Sequence, residues 1–180
     1  MVEALLAGRK TQTRRAMRPQ PADATPLPRN PFGQPGQRLW VRERFAAFGQ
    51  WRTRHNARKG REEWFFTDLT RERGLAWRYE DGQAFADARA SRDADAVPAW
   101  HPRPALFMPR AASRILLEIV EVRAERLQAL GVLDAVAEGV AAGDDPVAAY
   151  RAVWEGINGT GSWAADPMVW VVGFRRLVPD

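Results

Sequence analysis

Short apolar stretches separated by polar and proline-rich ones set out the elements of the chain. Val2, Leu5 and Leu6 recur at helical spacing and Gly8 follows where a helix-ending glycine would stand, which predicts a short opening helix. Arg18 to Gly36 carries six prolines and little apolar periodicity, so it reads as an extended loop closing in the turn Gln34-Pro35-Gly36-Gln37. From Arg38 to Ala46, alternation puts Leu39, Val41, Glu43 and Phe45 on one face and Arg38, Trp40, Arg42 and Arg44 on the other, the pattern of a strand.

Between Ala47 and about Ala105 the pattern dissolves into Arg, Trp, Asp and Ala, with one strand-like piece at Leu75 to Glu80. A long stretch of this kind inside a small domain predicts an irregular insertion or a lid. Order returns at Arg114 to Arg123, apolar on both sides as a central strand would be. Two helices follow: Val132 to Glu138, stopped by Gly139, and a longer one with Asp144 or Asp145 as N-cap, Pro146 in its first turn and the stripe Val147, Tyr150, Val153, Trp154, Ile157. Asn158-Gly159 ends it, and Met168 to Leu177 closes the chain as a second strand apolar on both faces. The sum is an α+β domain, a small twisted sheet or barrel flanked by helices, with no parallel βαβ array.

Composition narrows the chemistry. With 180 residues and 46% in the hydrophobic set, the chain suffices for one packed domain. No cysteine is present, which excludes disulfides, iron–sulfur clusters and Cys-based zinc sites, and two histidines are too few for a His-rich metal centre. Neither metal nor cofactor is expected. No apolar run reaches the ~20 residues that span a bilayer, and the first residues do not form a secretory leader, so a soluble cytoplasmic protein without a membrane partner is expected. The net charge of +5 is modest, compatible with a polyanionic partner and equally with a coding bias toward arginine. Against that background of arginines only Lys10 and Lys59 are lysines, and a lysine, unlike an arginine, can give up its proton in a suitable site.

The run Gly8-Arg9-Lys10-Thr11-Gln12-Thr13-Arg14-Arg15 concentrates four cations and two threonine hydroxyls just past a helix end. One reading is a solvated basic turn with threonines bonded to nearby backbone. The other makes Lys10, kept neutral by flanking arginines, the base that activates Thr13 as a nucleophile. Glu43 sits on the apolar face of its strand, where an unpaired carboxylate costs several kcal/mol, so a cationic partner near Arg14 is expected. Glu138, one residue before a helix-ending glycine, is either an ordinary surface carboxylate or one aimed at a cleft. Trp51, Trp64, Trp77 and Trp100, interleaved with arginines, suit either core packing or stacking on bases.

The first run resembles the Gly-x-Lys-x-x-(Glu/Thr)-x-Arg signature of the ASCH domain family, a β-barrel related to the PUA RNA-binding domain. Gly36 to Glu43, Met108 to Arg114, Glu125 to Gln128, Ala137 to Gly139, and Gly161 to Trp163 through Trp170 to Val172 likewise look like blocks of ASCH proteins of bacteriophages and prophages. The resemblance implies a PUA-like barrel spanning 1–180, interrupted by the insertion at 47–105, and a partner that is RNA or a modified nucleoside. One branch of the family hydrolyses the amide of N4-acetylcytidine with a lysine, a threonine and a glutamate, and the matching positions are Lys10, Thr13 and Glu138. The same resemblance puts Arg14, Arg15, Trp40, Arg42 and Glu43 around the substrate. The alternative is a non-catalytic RNA-binding or phage accessory module using the same basic pocket.

Overall fold

The computed structural model describes residues 1–21, 27–80, 85, 87–89 and 91–178. In chain order the elements are α1 (Val2–Leu6), β1 (Gln12–Ala16), β2 (Arg38–Trp40), β3 (Phe45–Asn56), β4 (Arg61–Asp68), β5 (Arg78–Tyr79), β6 (Ala99–Arg103), β7 (Leu116–Arg126), α2 (Val132–Ala137), α3 (Pro146–Asn158) and β8 (Met168–Leu177). They divide between two compact units, one built from Met1–Val41 and Ile115–Asp180, the other from Arg42–Arg114. The fold is α+β with two antiparallel sheets, one of them a curled half-barrel.

In the first unit the order is β1-β8-β7-β2. The strands expected to be apolar on both faces are the central pair, β7 and β8, whose ladder runs from Leu116 opposite Leu177 to Arg126 opposite Met168, with an irregularity between Ile119 and Glu121. Burial on both faces explains the middle of β8, from Val169 to Phe174, whereas β7 buries Leu117 and Ile119 and leaves Val120 exposed. Val169 and Val171 of β8 join Leu127, Leu130, Ala135, Tyr150 and Trp154 in a core under α2 and α3. A second cluster gathers Leu5, Ile115, Leu117 and Phe174. Each such side chain removed from water contributes about 1.5–3 kcal/mol. The α3 cap is Asp145, whose Oδ1 accepts from the Ala148 amide at 2.9 Å, with Pro146 just inside the helix.

Two sequence expectations change here. The strand placed over Arg38 to Ala46 stops at Trp40, and the chain resumes as β3 in the other sheet. Leu39 and Val41 pack in the first unit's core, Phe45 in the second's. The alternation was real but belongs to two strands separated by the crossing from one unit to the other. At that crossing the Val41 amide donates to the Ile115 carbonyl at 3.0 Å, and β2 pairs with β7 through Trp40 opposite Leu116.

The stretch 47–105, expected to lack regular structure, instead builds the second sheet: β3 and β4 form a long hairpin, and β3 also pairs with β5 and β6. The strand-like piece at Leu75 to Glu80 shrinks to Arg78–Tyr79. Arginine stands where sequence patterning looks for apolar residues, yet along a strand its aliphatic stem and flat guanidinium pack on aromatic neighbours, as Arg54 does on Phe65. Phe45, Ala47, Met108 and Ala112 make the core of this unit, with Phe66, Trp77 and Tyr79 against them.

Candidate active site

The run that reads as a basic turn is in the structure an edge strand and the approach to it. After α1, Gly8 takes a positive φ of 70°, and the amides of Arg9 and Lys10 donate back to the Ala4 carbonyl at 2.8 and 3.0 Å. Thr11 then donates to Ala137 at the end of α2, at 2.8 Å, and β1 pairs with β8 with Thr13 opposite Val172. These bonds bring Lys10 against Glu138 and Gly139, 128 positions later in the chain. Gly139, at φ 92°, leaves no room for a side chain: a Cβ there would come within 3.0 Å of the Lys10 Cβ.

Lys10 is buried, and its Nζ donates to the Glu138 carbonyl at 2.6 Å and to Glu138 Oε2 at 2.8 Å. Burial lowers its proton affinity below the ordinary amine range; Glu138 opposes the shift, and the positive charges of Arg15 and Arg14 add to it. A neutral amine has two N–H donors and one lone pair. Glu138 takes two N–H bonds from Lys10, as many as a neutral amine can give.

Arg14 occupies the centre of the charge network, with a fully buried guanidinium. It donates to Glu125 Oε1 from Nε at 3.1 Å and Nη2 at 2.5 Å, and from Nη1 to Glu138 Oε1 at 3.4 Å, and lies 3.4 Å from Asp134 Oδ2. The competition of Arg14 for Glu138 weakens the hold of that carboxylate on the Lys10 proton. Asp134 is pulled both ways: burial raises its pKa, but hydrogen bonds from Gln12 and the Gly131 amide, with the Arg14 charge, hold it below the usual carboxylate range.

Lys10, Thr13, Arg14, Arg15 and Glu138 share the wall of one cavity of about 340 Å³, at the small end of the usual ligand-site range of about 300–1,000 Å³. The apolar stripe of α3 lines the same cavity, with Val153 and Ile157 exposed to solvent. The Thr13 hydroxyl accepts from Arg15 Nη1 at 2.7 Å, and among the described residues it is not bonded to Lys10. Tyr150 also borders the cavity; burial first, then Glu138, pushes its phenol above the ordinary range, so it is a neutral donor at physiological pH.

The remaining residues assigned by resemblance lie elsewhere. Trp40 on β2, Arg42 and Glu43 are not on this cavity wall. Glu43 does have the cationic partner its burial demands, but the partner is Arg114 and not an arginine of the first run: Nε and Nη2 of Arg114 donate to Oε1 and Oε2 at 3.0 and 2.9 Å. Both residues belong to the second unit. The bidentate fork completes the carboxylate locally, whereas Arg14 is saturated by Glu125, Asp134 and Glu138.

Sequence reasoning passed over Glu125, Asp134 and Tyr150. A signal for Tyr150 existed, since it is one of only two tyrosines and stands in an otherwise apolar helix stripe next to Trp154. Nothing local marks Asp134 or Glu125 among the other surface acids. Among the described residues no cluster of three or more His, Asp or Glu side chains is arranged to hold a metal ion, and no helix is long and apolar enough to cross a membrane. Comparison with family models, with curated proteins and with solved structures returns no match.

Proposed function

We propose that the chain is an ASCH-type protein with a PUA-like first unit whose cavity takes a modified nucleoside, and that it hydrolyses the amide of N4-acetylcytidine-like substrates. The observation that carries this reading is a buried lysine with lowered proton affinity, sharing a cavity wall with a threonine hydroxyl and a carboxylate. Thr13 Oγ1 attacks the acetyl carbonyl while its proton passes to neutral Lys10. Through the 2.8 Å contact Lys10 hands that proton to Glu138, which delivers it to N4 as the carbon–nitrogen bond breaks and cytidine leaves. Water then cleaves the acetyl ester on Thr13, giving acetate and restoring the hydroxyl. Arg15, already on the Thr13 oxygen, lowers the energy of the developing alkoxide. The apolar stripe of α3 receives the flat face of the base.

The test is acetate release from N4-acetylcytidine. Turnover by the wild type, lost in Lys10→Met and Thr13→Ala and partly kept in Thr13→Ser, supports the enzyme. A second reading has one observation in its favour: Lys10 and Arg14 are both bound to carboxylates, as in a purely structural ion network. On that reading the cavity only binds RNA or a nucleoside, and the assay gives saturable binding of the nucleoside with no acetate.

A further inference from the structure

The first unit is electrically balanced and the second is not. Of the 27 basic and 22 acidic side chains, 12 and 12 fall in the first unit and 15 and 10 in the second, so the whole net charge of +5 belongs to residues 42–114. A coding bias toward arginine acts on the entire chain and does not confine a surplus to one compact unit.

Part of the surplus is stacked on rings. The Arg92 and Arg103 guanidiniums lie 4.5 and 4.7 Å from the centre of the Trp51 indole, and Arg103 is also 4.4 Å from the Phe66 ring and 4.9 Å from that of Phe107. Ion pairs in this unit engage Arg44, Lys59, Arg61, Arg78 and Arg114, and among the described residues neither Arg92 nor Arg103 joins them. Two cations on one ring repel. Burial and then the Arg92 charge lower the proton affinity of Arg103, and the nearby Asp68 charge offsets part of that. A bound anion relieves that repulsion.

The same face carries bare aromatic surface. Trp51 stands opposite Phe66 and Thr53 opposite Trp64, so Trp64 follows Phe66 on one side of the hairpin. Trp64 is 42% exposed and Phe107 58%. Guanidiniums that join no ion pair among the described residues, beside exposed rings, are what an unpaired polynucleotide needs, phosphates on the first and base faces on the second; a duplex keeps its bases stacked and offers only phosphates.

We propose that this face of the second unit binds single-stranded nucleic acid, with phosphates at Arg92 and Arg103 and bases on Trp64 and Phe107. The inference is independent of the amide chemistry at Lys10. It is tested by fluorescence anisotropy of the whole chain with a labelled oligouridine of about a dozen nucleotides, at several salt concentrations. Saturable binding is expected, with Trp64→Ala about tenfold weaker or more and Arg92→Gln lowering the log–log salt slope by about one. Both variants should keep the wild-type circular dichroism and release acetate from the free nucleoside as the wild type does. The proposal is overturned by no binding at low salt, or by a duplex or heparin binding as tightly as the oligouridine with Trp64→Ala unchanged.

Discussion

A β-carbon on Gly139 would stand 3.0 Å from Cβ and 3.4 Å from Cδ of Lys10, so the bare glycine backbone is one wall of the channel that holds the lysine stem. Ala4, 3.1 Å from the same point, closes the other side. The glycine that ends α2 therefore also sets where the amine stands. Gly139→Ala should cost about 1–3 kcal/mol, from positive φ and from the clash with two fixed neighbours, and should move Lys10 off Glu138. Thermal unfolding measures the first effect; the second appears as lost acetate release at temperatures where the variant is still folded.

Lys10 should make stability rise with pH on the alkaline side. In the unfolded chain its amine titrates near 10.5, and in the folded chain at a lower pH. Between the two values the unfolded chain holds the extra proton, so folding gains as pH rises through that window. Tyr150 acts the opposite way: its folded pKa lies above the ordinary 10.0, so above that pH the unfolded phenol ionises first and stability falls. Urea unfolding of wild type and Lys10→Met from about pH 8 to about pH 10 isolates the lysine part as the difference between the curves. A difference that does not change with pH contradicts it.

Arg14→Met should be strongly destabilising. It leaves Glu125, Asp134 and Glu138 facing one another without the buried guanidinium they share, a loss of about 3–5 kcal/mol for a fully enclosed group, with Glu125 and Asp134 drawing on solvent to reduce it. Denaturant titration measures this. In a variant that still folds, such as Arg14→Lys, Glu138 is freer to hold the Lys10 proton, and the alkaline rise of any acetate-releasing activity should move to higher pH.

Glu43→Gln tests the fork with Arg114. The amide accepts only one of the two bonds from Nε and Nη2, so a loss of about 1–3 kcal/mol is expected. Because the pair ties the second residue of the second unit to its last, limited proteolysis should show faster cutting between residues 42 and 114, while acetate release is unchanged.

What the chain reveals in advance follows from how its side chains signal burial. β7 and β8 were legible because valine, leucine and isoleucine crowd both faces, and α3 because Asp145, Pro146 and the Tyr150–Trp154 stripe mark its start and its inner face. β1 was not: Arg14 is an interior residue, 1% exposed, and an arginine buried by three carboxylates looks in sequence like any surface arginine. The hairpin β3–β4 was hidden for a related reason: Arg52, Arg54 and Arg61 interrupt its apolar pattern, and Arg54 is packed on the Phe65 ring. Lys10 and Glu138 stood out singly, but their pairing depends on the bond between Thr11 and Ala137, a long-range contact that no local pattern encodes.

The hydrogen bond between Val41 and Ile115 has a topological consequence. The two residues at which the first unit is interrupted already touch, at the end of the β2–β7 pair, so cutting out everything between them and joining the ends with a tight turn of about two residues yields an ordinary hairpin. The arginine-rich segment thus leaves and re-enters the first unit at hydrogen-bonded neighbours, so the scaffold's own strand pairing does not depend on what lies between them.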